Sequence, residues 1–217
     1  TWAAGTVIDS PWLQDVDDSV YFSPTKNYVN GTIGAVLDTS VYASSFPSIK
    51  GDGTTNDTSA IQTAQAFNPT APFEFGPHTY LVDAGVLLFQ GSVKGASNFQ
   101  TQLLASNGTT GFVVRVKTPS GQWSAQVCDL FINCQGAGQN GVVLEGSYGT
   151  AERIKVWHGT GVGFQLGNAA ASSGCFWWTI SSCHTNCLIA GGTGLVIDAS
   201  PGGANANTLV NFYTAGL

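Results

Sequence analysis

The second half of the chain keeps returning to one pattern. Four segments set a glycine before alternating apolar residues: GFVVRV (111–116), GVVLEG (141–146), GFQLGN (163–168) and GLVIDA (194–199). Alternation with a period of two marks a strand with one buried face. Between these segments runs a second strand type, DLFIN (129–133), RIKVW (153–157) and WWTIS (177–181), and the three superpose without gaps. Leu130, Ile154 and Trp178 then recur at one constant step, and Ile132, Val156 and Ile180 keep the same step. A further match, LVNF (209–212), follows a longer insertion. Short strands at a period of roughly 20 to 30 residues, separated by Gly, Asn and Ser turns, predict a parallel β-solenoid whose rungs stack on a continuous core. Leu130, Ile132 and their equivalents point inward. Asp129, Arg153 and Trp177 take the preceding, outward column. Stacked strands lie about 4.8 Å apart, so Asp129 and Arg153 are expected to pair across neighbouring rungs. An exposed pair of that kind contributes about 0 to 1 kcal/mol. An antiparallel sandwich would account for the short strands but not for the repeated step.

One stretch breaks the strand rhythm. In SFPSIKGDGTTNDTSAIQTAQAF (45–67), Gly51 and Gly53 make a compact turn. Asp57 follows as an expected helix N-cap, its carboxylate accepting from the free amides of the next turn. Ala60, Ile61, Ala64 and Phe67 recur at helical spacing, and Asn68-Pro69 ends the helix. A lone short helix beside a long β region must bury its apolar face, and the open end of that region is the natural place. The glycines do not form a phosphate loop, because GDGTTND lacks both the Gly-Lys-Ser/Thr ending and the G-x-G-x-x-G spacing.

Composition narrows the class. Hydrophobic residues make up 43% of the 217, enough for a real core, while charged residues are only 9% against the roughly 25% usual in globular domains. Polarity is carried instead by Ser, Thr, Asn, Gln and 28 glycines, the profile of an all-β chain with many turns. The net charge is −6 and the seven Lys and Arg are scattered, so nucleic acid is not an expected partner. No apolar run reaches the length of a membrane helix. The five cysteines, Cys128, Cys134, Cys175, Cys183 and Cys187, are read as buried free thiols, not as a disulfide framework. CHTNC (183–187) has no second cluster at metal-site spacing, so neither a metal nor a cofactor is expected. The chain begins with Thr and contains no Met, and its last segment, NTLVNFYTAGL, runs as strand to the end; it is expected to be part of something longer.

From residue 46 to about 168 the chain resembles the pectate-lyase-like right-handed β-helix superfamily, and within it the phage tailspike and depolymerase branch. The resemblance rests on GDGTTNDTSAIQTAQ, matching that family's Gly-Asp-Gly turn, polar link and Ala-Ile-Gln helix. It continues through FEFGPHTYLVD (73–83), GSVKGAS (91–97) and QTQLLAS (100–106), in order. His78 stands where the family usually has a glycine after the proline. The resemblance implies an all-β, right-handed parallel β-helix over 46–217, continuing past the last residue, with one short capping helix at 58–67. Residues 1–45 carry no repeat and are expected to form an arm or neck. Trp2, Trp12, Tyr21, Phe22 and Tyr28 would be hard to bury within so short a stretch, so burial against a partner is expected.

Candidate chemistry is sparse. Glycoside hydrolysis needs two carboxylates, one protonated and one ionised, and the coil has only Asp129, Glu145, Glu152 and Asp198. Asp129 and Glu152 fall near one outward face and form, with Arg153, the candidate catalytic cluster; solvated or ion-paired surface roles are the competing reading for all the acids. RIK (153–155) is similar to a polygalacturonase motif, but the accompanying acidic and Gly-His-Gly motifs are missing. His78, His158 and His184 are read as turn or structural residues. Trp157, Phe176, Trp177 and Trp178 fall in successive rungs, and outward rings serve equally as sugar platforms or subunit anchors. Trp157 and Trp177 are the contact candidates.

The resemblance implies a virion tail-spike or tail-fibre component: a homotrimer whose arm joins a phage tail or baseplate protein and whose β-helix meets host cell-surface polysaccharide. Whether it depolymerises that polysaccharide is left open, with an active site beyond residue 217 as one alternative. A secreted monomeric polysaccharide lyase or glycoside hydrolase is the second reading, favoured by the Asn-x-Thr sequons at Asn30, Asn56 and Asn107. A purely structural particle protein is the third.

Overall fold

The computed structural model of the protein describes residues 40–118, 124–134, 136–168, 174–198 and 203–216. The arm expected at 1–45 lies outside them except for its last residues. Two of these, Val41–Tyr42, already form a strand paired in parallel with Phe73–Glu74, and Val41 and Ala43 are buried. Residues Val41–Leu217 form one compact unit.

The fold is a parallel β-helix. Every strand pairing among the described residues is parallel, and each joins one coil to the next. The coils present three faces. The rear face is a seven-stranded sheet that includes Thr79–Val82, Gln102–Ala105, Phe131–Cys134, Lys155–His158, His184–Cys187 and Tyr213–Gly216. The long strand Gln139–Glu152 bends across the other two. Its first half pairs with Gly111–Lys117 and Val162–Leu166 on the side face. Its second half pairs with Ala125–Cys128 and Cys175–Ser181 on the front face. Inward residues from all three faces meet in one core, where Leu103, Leu130, Ile132, Leu144, Ile154, Val156, Phe164 and Trp178 are fully buried. The inward positions of Leu130, Ile132, Ile154 and Val156 are as the alternation predicts.

The constant step expected from the sequence holds for one coil only. Phe131 lies beside Lys155, as that step requires, but Lys155 lies beside His184, well past the Thr179 it would reach. The third rear strand is therefore HTNC, not WWTIS. The latter belongs to the front face, where Trp178 lies opposite Gly149 and Ile180 opposite Ala151. The cause is a longer corner. Leu144 pairs with Leu166 and Gly146 with Cys175, so the short corner from Leu144 to Gly146 becomes, one coil later, the long corner from Leu166 to Cys175.

The corner between front and rear faces repeats more strictly. Asp129, Arg153, Ser182 and Asn211 each adopt a left-handed conformation, with φ of 62°, 52°, 54° and 52°. Their amides donate in sequence to the next coil: Asp129 N to Glu152 O, Arg153 N to Ser181 O and Ser182 N to Val210 O. Ser182, not Trp177, is thus the successor of Asp129 and Arg153.

At the start, helix α1 (Thr58–Phe67) buries Thr58, Ile61 and Ala64 and closes over the core of the first coils. Asp57 does not cap it. Its carboxylate reaches backward, accepting from Lys50 N at 2.7 Å and Gly51 N at 3.0 Å. The capping bond comes from Asn56, whose Oδ1 accepts from Thr58 N at 3.0 Å. Asp57 already has helical angles, φ −90° and ψ −2°, which turn its side chain away from the helix amides.

All five cysteines are free and buried. Burial pushes the Cys134 and Cys175 thiols up to about 12 and the Cys128 and Cys183 thiols up to about 11. They pack as small apolar groups.

Candidate functional site

The candidate site is a groove of about 450 Å³ on the front face. One wall is aromatic. Tyr148 and Trp177 stack with ring centroids 4.8 Å apart and planes 8° from parallel. Both have left-handed backbones, with φ of 59° and 54°, a costly conformation for bulky residues. It breaks the strand alternation between Phe176 and Trp177, neither of which is buried; from there alternation resumes, with Trp177 half exposed and Trp178 beside it fully buried. The floor is Gly149 and Ala125. Gly149 is required there, because a Cβ would sit 2.5 Å from the Trp178 ring beneath it. The other wall is a polar ladder of Gln126, Thr150 and Thr179, register partners on successive coils, with Ser92 beyond. Ser92 Oγ accepts from Gln126 N at 2.9 Å. The side chains of Gln126, Thr150 and Thr179 make no hydrogen bond within the described residues and keep their capacity for a ligand.

The candidates drawn from the sequence do not gather here as one site. Asp129, Glu152 and Arg153 meet at the front–rear corner. Arg153 Nε and Nη2 donate to the two Asp129 oxygens at 2.7 and 2.8 Å, and Nη1 donates to Glu152 Oε2 at 2.9 Å. The pairing of Asp129 with Arg153 across coils is as expected. The Arg153 hydrogen bonds hold the Asp129 carboxyl below its ordinary range. Such bonding favours the ionised form of Asp129. Through these bonds Arg153 ties its coil to the preceding one. Glu145 is fully buried, contrary to the surface reading: its Oε1 accepts from Arg115 Nη2 and from Asn168 Nδ2, both at 2.9 Å.

Trp157 and Trp177 lie on different faces. Trp157 stands on the rear face, edge-on to Phe131 with centroids 5.0 Å apart, and the Lys155 ammonium lies 4.7 Å from its ring. Phe99 and Tyr213, 83% and 61% exposed, extend this rear patch. His184 packs against Tyr213, while His158 is fully buried beside the Cys134 and Cys187 positions. Burial holds both imidazoles below their ordinary range. Among the described residues no three His, Cys, Asp or Glu converge as a metal-ligand set.

Sequence reading missed Tyr148 and the Gln126–Thr150–Thr179 ladder. The available signal was a lone aromatic between glycines in GSYG, on a strand too long for one face.

No protein-family model and no curated protein matches the sequence. Solved structures resemble the chain to different degrees. ORF18 of Geobacillus virus E2 aligns with 98% of this chain at 17% identity and a TM-score of 0.61. This chain spans 46% of that protein's length. The Dettilon tailspike protein (gp208) aligns over 93% of this chain and 43% of its own, at 13% identity and a TM-score of 0.39. A Parabacteroides merdae protein, described as a candidate glycosyl hydrolase, aligns over 81% of this chain and 98% of its own, at 14% identity and a TM-score of 0.47. At such identities the likeness to ORF18 establishes the fold alone.

Proposed function

We propose that this chain is a component of a viral tail spike or tail fibre, and that its β-helix contacts polysaccharide on the host surface. The observation that carries the contact is the front groove: a stacked aromatic pair facing a ladder of uncommitted hydroxyl and amide groups, on a stiff parallel scaffold. Rings supply area for the apolar faces of sugars, and the ladder supplies hydrogen bonds that orient them. The likeness of nearly the whole chain to part of a viral protein supports the virion setting. Cleavage is a separate matter: the groove is lined by no carboxylate among the described residues, so a depolymerase centre would have to lie elsewhere in the assembly.

In this reading the two tryptophan candidates divide. Trp177 serves the glycan, and the rear patch of Phe99, Phe131, Trp157 and Tyr213 serves contact between three copies, where exposed aromatic area is costly to leave in water. The arm before the coil joins the trimer to the tail. Light scattering on the native assembly tests this together with binding to isolated bacterial surface polysaccharide. A stable trimer that binds polysaccharide is expected. A monomer, or a trimer that binds none, would sink the reading.

A further inference from the structure

We infer that the Tyr148–Trp177 groove takes an uncharged glycan, aligned with the coil axis. This rests on the polysaccharide-contact reading above and specifies its ligand class.

Charge is the first argument. The two walls, Tyr148 with Trp177 and Gln126 with Thr150 and Thr179, contain no ionisable carboxylate, ammonium, guanidinium or imidazole. The residues of 41–217 outside the described set, at 119–123, 135, 169–173, 199–202 and 217, are also free of Asp, Glu, Lys, Arg and His. A charged column lies two residues further along the strands, about 7 Å away. It holds Glu74, Lys94 and Glu152. Glu74 stands opposite Lys94 in register, and Glu152 is engaged by Arg153, so the column offers one ammonium between two carboxylates. A uronate or sulfate in the groove would lose its hydration and meet neutral dipoles only. A neutral sugar has no such cost and finds matching donors and acceptors.

Direction is the second argument. Both walls run along the coil axis, because each is built from equivalent positions on successive coils: Tyr148 and Trp177, and Gln126, Thr150 and Thr179. Coils repeat at about 4.8 Å. A linear glycan lying along the axis meets a new hydroxyl or amide at each coil, whereas one lying across it meets the walls once.

The experiment uses the full chain and soluble probes: neutral gluco-, manno-, galacto- and N-acetylglucosamine oligosaccharides, set against oligogalacturonate and a sulfated oligosaccharide. Binding is read by tryptophan fluorescence and calorimetry. Neutral oligosaccharides are expected to bind, with affinity unchanged from about 50 to about 500 mM salt. Trp177→Ala and Thr150→Val should each weaken binding, the first by about tenfold or more, while Lys94→Gln leaves it unchanged. Trp177 is half exposed, so its removal should leave the coil folded, and Thr150→Val repeats the test without touching the rings. Preference for the anionic probes, weakened by salt or by Lys94→Gln, would overturn the inference and leave the polysaccharide-contact reading standing. Binding of no glycan would overturn both. Loss of the oligomer in Trp177→Ala would overturn the inference by assigning the groove to a subunit contact.

Discussion

Asp57→Ala tests how the coil is entered. The Asp57 carboxylate is fully buried and holds the amides of Lys50 and Gly51 at 2.7 and 3.0 Å. Hydrogen bonds to a charged group contribute about 1.5 to 3 kcal/mol each. Lys50 is exposed and Gly51 half-buried, so water recovers part of the loss. Asp57→Ala should therefore cost about 2 to 4 kcal/mol. A helix cap would cost about 1 kcal/mol, and Ser would replace it. Here Ser is too short to span two amides, so Asp57→Ser should be nearly as damaging as Ala. Asn should recover about half, since one of its two terminal atoms still accepts. Chemical denaturation gives the free energies. Hydrogen exchange at Lys50, Gly51 and α1 shows whether the loss begins at the turn, as it should in a solenoid whose coils touch only their neighbours. Full rescue by Ser, or fast exchange confined to α1 with the turn still protected, would refute the clamp and restore the capping role.

Three further outcomes follow from the packing and the titrating groups. Gly149→Ala should destabilise by about 1 to 3 kcal/mol through overpacking against Trp178, seen as a lower melting temperature; an unchanged one would show that the ring has room to move. The Arg153 strap lowers the Asp129 pKa, so its stabilisation is present above the unfolded value near 4 and is lost as pH falls through the lower folded value. With Arg153 half exposed it contributes at most about 1 kcal/mol, so wild type and Arg153→Leu should differ slightly at pH 7 and converge as pH falls through the lowered Asp129 value; a difference that grows on acidification would contradict the pairing. Burial lowers the His158 pKa, so the unfolded chain takes up protons first and stability should fall as pH drops below about 6.5. His158→Asn should flatten that slope, and an equal slope in the variant would place its origin elsewhere.

Much of this architecture could be read from local pattern. Period-two alternation in DLFIN and RIKVW placed Leu130, Ile132, Ile154 and Val156 inward, because pleated backbone leaves a residue only two sides to face. Helical spacing in SAIQTAQAF likewise placed Ile61 and Ala64 under α1, since that period brings them to one stripe. The Asp129–Arg153 pair was visible because the spacing between DLFIN and RIKVW is the length of one coil, which sets the two side chains next to each other. What local pattern could not supply was the length of each corner. The longer corner between Leu166 and Cys175, relative to that between Leu144 and Gly146, moved WWTIS to another face, and no propensity encodes that shift. The groove depends on the same information. Tyr148 and Trp177 belong to different coils, and only the stacking of those coils, with a left-handed residue at each, turns both rings outward together and sets them opposite a ladder drawn from three strands. Alternation is a property of one strand. Register between coils is a property of the closed helix, decided by which inward side chains fill its core.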